Sequence, residues 1–233
     1  MNSAKNPRKY MLIKIITTGA ILAMLLPGCA FNDLHLDMPI SGLAKPNTEG
    51  NGREVIIAIP FKDLRPHKER CGMKKNAHNQ DTADVICDVA PGKWASQLLA
   101  DELRASHFKV LTPETPHRES ALRIDGAIQQ FFTEPVMQTR RRPSSLETDI
   151  QIRLIATTEN GLHAERTFFV KGMIKNITFS TRGAYHTSLK RAADEILAEM
   201  VEAIFSLMEE YPQISAPDFQ LQAIKPYALE DNQ

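Results

Sequence analysis

The segment 147–175 constrains the fold more than any other. From Glu147 to Thr158 apolar residues fall on alternate positions, placing Ile150, Ile152, Leu154 and Ala156 on one face. Asn160-Gly161 follows, a pair suited to a tight hairpin because both central positions of the favoured turn need positive φ. From His163 to Lys175 the alternation resumes, with Phe168, Val170 and Gly172 on one side and Thr167, Phe169 and Lys171 on the other. Two such ribbons must bury one face of an antiparallel sheet, and the next segment can cover it. Leu189, Ala193, Ile196, Leu197, Met200, Ile204, Met208 and Tyr211 recur at helical spacing from about Tyr185 to Tyr211, and Pro212 closes the helix.

The upstream elements are shorter. Glu54 to Pro60 is a β-branched run that reads as a buried strand. Phe61 to Ala90 shows little regular pattern, and a connection of that length is unusual in a compact domain unless it is functional or cross-linked. Pro91 suits the first turn of a helix whose buried face would carry Trp94, Ala95, Leu98, Leu99 and Leu103, with Asp101, Glu102 and Arg104 opposite. Phe108 to Leu111 is extended, Pro113 and Pro116 interrupt the chain, and Ala121 to Phe132 reads as a strand. No internal repeat is visible. The pattern predicts an α+β domain over 54–211, with an antiparallel-rich sheet of about four to five strands covered on one face by two helices.

The N-terminus has a different character. Lys5, Arg8, Lys9 and Lys14 precede an uncharged apolar stretch of 12 residues, Ile15 to Leu26. That length suits a secretory leader and falls short of the roughly 20 residues that span a bilayer. Leu26-Pro27-Gly28-Cys29 ends the stretch and resembles a bacterial lipoprotein signal. The resemblance implies cleavage after residue 28, acylation of Cys29, and attachment to a membrane through those acyl chains. Each buried methylene contributes about 0.8 kcal/mol, so two or three chains hold stably. It also implies a sorting rule: Ala30, rather than Asp, behind the lipidated cysteine points to the periplasmic face of the outer membrane in a Gram-negative cell. Residues 29–53, rich in Pro, Gly, Asn and Asp, read as the lipidated cysteine and a flexible tether, and 212–233 as a polar tail.

Loss of the leader leaves 205 of the 233 residues, enough for one domain with a real core. It removes four of the 28 basic residues and none of the 28 acidic ones, leaving a formal charge of −4. That balance argues against nucleic acid as a partner, which needs a clear basic excess. Cys71 and Cys87 then remain as a pair in an oxidising compartment. A disulfide is the default reading; a metal site completed by His67 or His78 is the second, although the spacing matches no zinc pattern.

Three stretches carry a wider likeness. Ile57-Ala-Ile-Pro-Phe-Lys-Asp-Leu-Arg65, followed by Gly72-Met-Lys-Lys-Asn76, is similar to a first strand ending in an Asp-x-Arg signature. Trp94 to Leu111 is similar to a helix opened by Trp and followed by a Phe-x-Val strand, and Ile150 to Ile204 to a hairpin bearing Arg166-Thr-Phe168 that runs into a closing helix. Together they resemble the amino-terminal domain of TolB and the periplasmic auxiliary lipoproteins of ABC-type transport systems, and above all the YajG-type lipoproteins. The resemblance implies a TolB amino-terminal-like fold and a periplasm-facing lipoprotein that serves an envelope or lipid-handling assembly through a protein partner. The cysteine-bearing stretch is where this chain departs most from the transport auxiliaries.

Catalytic chemistry is not legible. Ser96, Ser106 and Ser188 lie in helical patterns without a Gly-x-Ser-x-Gly turn, the seven histidines form no metal-binding pair, and no glycine-rich phosphate loop follows the first strand. The expectation is a protein without catalysis, cofactor or metal. Candidate contacts are Arg140, Arg141 and Arg142, which suit a lipid head group or an acidic surface but equally a solvated strand connection. Asp63 and Arg65 read either as a recognition edge or as a local ion pair that orders the long loop. Two functions follow: an anchored adaptor for an envelope protein, or a carrier of lipid or a small ligand between sheet and helices.

Overall fold

The computed structural model describes residues 32–40, 42, 49–76, 78–139, 142–177, 181–212 and 214, with only the backbone of 138–139 and 142–144. The leader, Cys29, Arg140 and Arg141 lie outside the described residues, as does the side chain of Arg142. The strands are β1 Leu34–Leu36, β2 Glu54–Ile57, β3 Lys62–Asp63, β4 Gly72–Lys75, β5 Asp81–Cys87, β6 Lys109–Leu111, β7 Leu122–Thr139, β8 Arg142–Thr157 and β9 His163–Lys175. The helices are α1 Pro91–Ala105 and α2 Arg182–Glu210.

All nine strands join one sheet, larger than the four to five expected and parallel over part of its width. β7, β8 and β9 form an antiparallel meander, and its last two strands are the expected hairpin. The added strands come from the stretch read as patternless. β8 occupies one edge of β7, so β2, β3 and β4 lie end to end along the other, all parallel to it: Val55 beside Leu122, Lys62 beside Ala127, Gly72 beside Thr133. β6 adds outside β2, β5 folds back on β4, and β1 runs parallel to β5. Strands of two to four residues are too short to show a period, so hydrogen bonding to β7 creates them rather than local preference. The tether expected over 29–53 is likewise interrupted by β1.

Other boundaries also differ. β7 continues past Phe132 to Thr139, and the buried face passes from Leu122, Ile124 and Ile128 to Phe131 and Thr133 because a bulge between Ile128 and Gln130 inserts one residue. Between β8 and β9 only Gly161 has positive φ; Gly161 N–H donates to Thr158 O, and the connection spans 158–162 rather than two residues. α1 begins at Pro91 as expected, but Glu102 is buried rather than solvent-facing.

Both helices lie against the face that carries Phe131, Thr133 and Thr148. Trp94 of α1 meets Phe131 edge-on at 5.6 Å, and Phe108 and Phe205 join the far ends of the two helices at 5.1 Å. α2 is seated by a buried polar chain. Thr133 and Thr148 hydroxyls lie 2.9 Å apart, Thr148 donates to Ser188 Oγ at 2.9 Å, and Ser188 donates to Gly172 O at 3.0 Å. Gly172 is required here, since a Cβ would sit 2.1 Å from Ser188 O. Cys71 and Cys87 form a disulfide joining the entrance of β4 to the end of β5.

Replacing Cys71 and Cys87 together by Ser is expected to cost about 3 kcal/mol, the chain-entropy value for a loop of this length. The readout is a lower urea midpoint, and an unchanged midpoint would show that the bridge adds no constraint. Gly172→Ala is expected to cost about 1–3 kcal/mol by forcing α2 off β9, measured in the same way.

Candidate functional site

Asp63 and Arg65 sit where the chain leaves β7 between β3 and β4. Arg65 is buried, and its guanidinium is fully engaged. Nε and Nη2 grip Asp63 at 3.0 and 2.8 Å, Nη2 also donates to Lys68 O at 3.0 Å, and Nη1 donates to Arg70 O at 2.8 Å and Phe131 O at 3.3 Å. The guanidinium also lies 5.9 Å from the Phe131 ring centre. This is the local organising role, and the recognition-edge reading of Arg65 is corrected: a buried group with all its donors used has nothing left for a partner. The Asp63 carboxyl feels burial first, which raises its pKa, but the hydrogen bonds and charge of Arg65 outweigh burial and hold it below the ordinary aspartate value.

An apolar groove opens beside α1. Met38, Pro39 and Ile40 form one wall, Ile59 and Val89 another, and Trp94 and Leu98 of α1 also line it, around a volume of about 520 Å³. Pro39 O accepts a 2.9 Å hydrogen bond from Trp94 Nε1, which fastens the wall to the helix. Ile40 is fully exposed, Ile59 40% and Val89 36%. Asp101 and Arg104, paired at 2.6 Å and both exposed, edge the groove with charge. Sequence reasoning missed Ile40, Ile59 and Val89 because each stands in a short connection without periodicity. The available signal was an apolar residue beside or near a proline: Pro39, Pro60 and Pro91.

The space between helices and sheet is different. Its groove, lined by Leu154, Phe168, Ile204 and Leu207 among others, measures about 200 Å³, below the roughly 300–1,000 Å³ of small-molecule sites. The opposite sheet face is polar and cross-linked: Lys171 reaches Glu147 at 2.8 Å and Asp149 at 3.1 Å, and Arg153 faces Glu165 at 3.6 Å. Its hydrogen bond to Lys171 is the chief cause of the lowered Glu147 pKa. Among the described residues no three His, Cys, Asp or Glu side chains converge as a metal site, and no helix is long and apolar enough to cross a membrane. Arg140 and Arg141, between β7 and β8 in sequence, lie outside the described residues.

Arg65→Met is expected to cost about 3–5 kcal/mol, because it strands a partly buried carboxylate and three carbonyl acceptors. Arg65→Lys should fall between, keeping charge but losing the fork. A carboxyl with a lowered folded pKa contributes stability above its unfolded value of about 3.9 and loses it as pH falls. Acidification below about pH 4 should therefore destabilise the wild type through Asp63 and narrow its gap to Arg65→Met, since protonation relieves the stranded charge. Urea midpoints at neutral and acid pH would show a constant gap if Asp63 were not the partner that matters.

No family model matches the chain, and no curated protein matches it in sequence. Solved structures are similar in shape. A Xanthomonas campestris protein of the DUF330 family superposes with a TM-score of 0.56 at 10% identity, covering 77% of this chain and 98% of its own. A neuraminyllactose-binding hemagglutinin homologue from Helicobacter pylori gives a TM-score of 0.44 at 11% identity, over 76% of this chain and 97% of its own. Lipoprotein GNA1162 from Neisseria meningitidis gives 0.30 at 10% identity, over 68% of this chain and 99% of its own. At these identities the first match speaks to the fold alone, and the other two are too distant in shape to carry an argument. The chain shares the fold of a DUF330 protein.

Proposed function

We propose that this chain is anchored through acyl chains on Cys29 to the periplasmic face of the outer membrane and acts there as a non-catalytic adaptor. Its α1 groove receives an apolar segment of an envelope protein. The observation that carries the reading is the placement of open apolar surface. A continuous core lies between sheet and helices, with a surface groove of about 200 Å³ at its margin, while about 520 Å³ opens outside α1. An apolar centre with a charged edge is the arrangement of a protein docking site. The leader ending at Cys29 supports the anchor. The resemblance to YajG-type and transport-auxiliary lipoproteins supports service to an envelope or lipid-transport assembly. Arg140, Arg141 and Arg142 are proposed as further contacts for an acidic surface.

The test is crosslinking in living cells with tagged protein, comparing wild type with Ile40→Asp combined with Val89→Asp. Both positions are exposed, so stability should change by less than about 0.5 kcal/mol apiece. A partner captured by the wild type and lost in the variant, with membrane attachment intact, is the expected result. Cys29→Ser should release the protein from membranes. Partner capture unaffected by the variant would dismiss the groove, and lipid retained on delipidated protein in native mass spectrometry would favour the carrier alternative.

A further inference from the structure

Asn32, the first described residue, stands three residues after the proposed anchor. Asn32 O accepts a 2.9 Å hydrogen bond from Lys74 Nζ, Asp33 Oδ1 accepts one from Asp84 N at 3.0 Å, and β1 starts at Leu34. Three steps of 3.8 Å allow at most about 11 Å between the Cα atoms of Cys29 and Asn32. Acyl chains on Cys29 would hold it at the boundary between hydrocarbon and head groups. The head-group layer is about 5–7 Å thick, half the difference between the whole bilayer and its hydrocarbon core. Asn32 therefore stands within a few ångströms of the lipid surface.

The strand register says what stands there with it. Leu34 pairs with Val85, so Asn32 and Asp33 approach the sheet beside Ala83 and Asp84. Lys74 pairs with Ala83 and Lys75 with Asp81, so the β4–β5 turn projects on the side from which the chain arrives. We infer that this end of the sheet rests directly on phospholipid head groups, touching them through the exposed His78 and Asn79 of the β4–β5 turn. The inference deepens the proposed anchoring at Cys29 and rests on it.

The turn presents a fixed polar surface. Asn76 Oδ1 accepts from the backbone N–H of His78 and Gln80 at 2.9 and 3.0 Å, which fixes the backbone and leaves His78 and Asn79 exposed. Lys74 and Lys75 are engaged by Asn32 O and Glu134, and Asp81 follows the turn, so contact there falls to polar groups rather than to free cations.

The experiment uses the full lipidated protein reconstituted in vesicles of phosphatidylethanolamine and phosphatidylglycerol that carry a head-group-attached quencher. The disulfide occupies Cys71 and Cys87, so a fluorophore can be placed on His78→Cys or, at the opposite end of the sheet, on Asn160→Cys. Quenching several-fold stronger at 78 than at 160 is expected, and a long Gly-Ser linker inserted before Asn32 should erase the difference. Equal quenching in vesicle-bound protein would overturn the inference while leaving the anchor intact. Failure to bind vesicles, with no effect of Cys29→Ser, would instead overturn the anchoring reading on which it rests.

Discussion

The free edge of β7 is the constraint from which the rest of the fold follows. Eighteen residues of strand present a row of backbone donors and acceptors that burial leaves no water to satisfy. No single strand lies along that edge. β2, β3 and β4 take turns, and the chain leaves the sheet between them. Ala58 N–H meets Ile124 O, Leu64 N–H meets Ile128 O, and Thr133 N–H meets Cys71 O. Between the last two stands Phe131 O, which accepts from the Arg65 guanidinium. Arg65 thus completes a β-ladder where the strand is missing, and the same group closes the excursion by binding the carbonyls of Lys68 and Arg70. A buried arginine would be costly alone; Asp63 supplies the counter-charge two residues away. The disulfide then holds β5 against the segment that resumes the ladder at Gly72.

This explains which parts of the fold were legible. β8, β9 and α2 are long enough for their period to show, and Ile150, Ile152, Leu154, Phe168, Val170 and the apolar stripe of α2 are buried as their spacing requires. β1, β3 and β4 are defined by partners distant in sequence, and nothing within Lys62-Asp63 distinguishes a strand from a loop. The Asp-x-Arg signature was visible, but its role depended on Phe131 O, 66 residues away. Glu102 was misplaced for a related reason: helical spacing near 101–104 does not show that another part of the chain covers that face. The α1 groove was invisible because its exposed members come from three connections that only the tertiary fold brings together.

The sheet is covered on one side, and its two faces divide the labour. On the inner face the Thr133, Thr148, Ser188 and Gly172 chain and the surrounding apolar residues leave little space, so the interior is scaffold. On the outer face cross-strand ion pairs around Lys171 satisfy the charges that water only partly reaches. Among the described residues neither surface supplies the larger apolar opening. That falls to the margin of α1, where the chain after β1 is fastened over the helix by Trp94. The same segment that arrives from Cys29 therefore builds one wall of the groove.

That continuity gives the proposed adaptor a geometry. Counting from the lipid, β1 begins five residues after Cys29, and Ile40 lies six residues further, so at about 3.3 Å per residue the groove stands no more than roughly 20 Å beyond Leu34. A leash of about 11 Å before Asn32 allows tilt but little translation away from the bilayer. On the proposed anchoring at Cys29, the groove would be held in the layer of periplasm next to the membrane. A partner that fits it brings an apolar segment into that layer, as a membrane-adjacent domain of an envelope assembly would. A protein meant to search the periplasm widely would need slack between anchor and domain, and here β1 takes up that slack by joining the sheet.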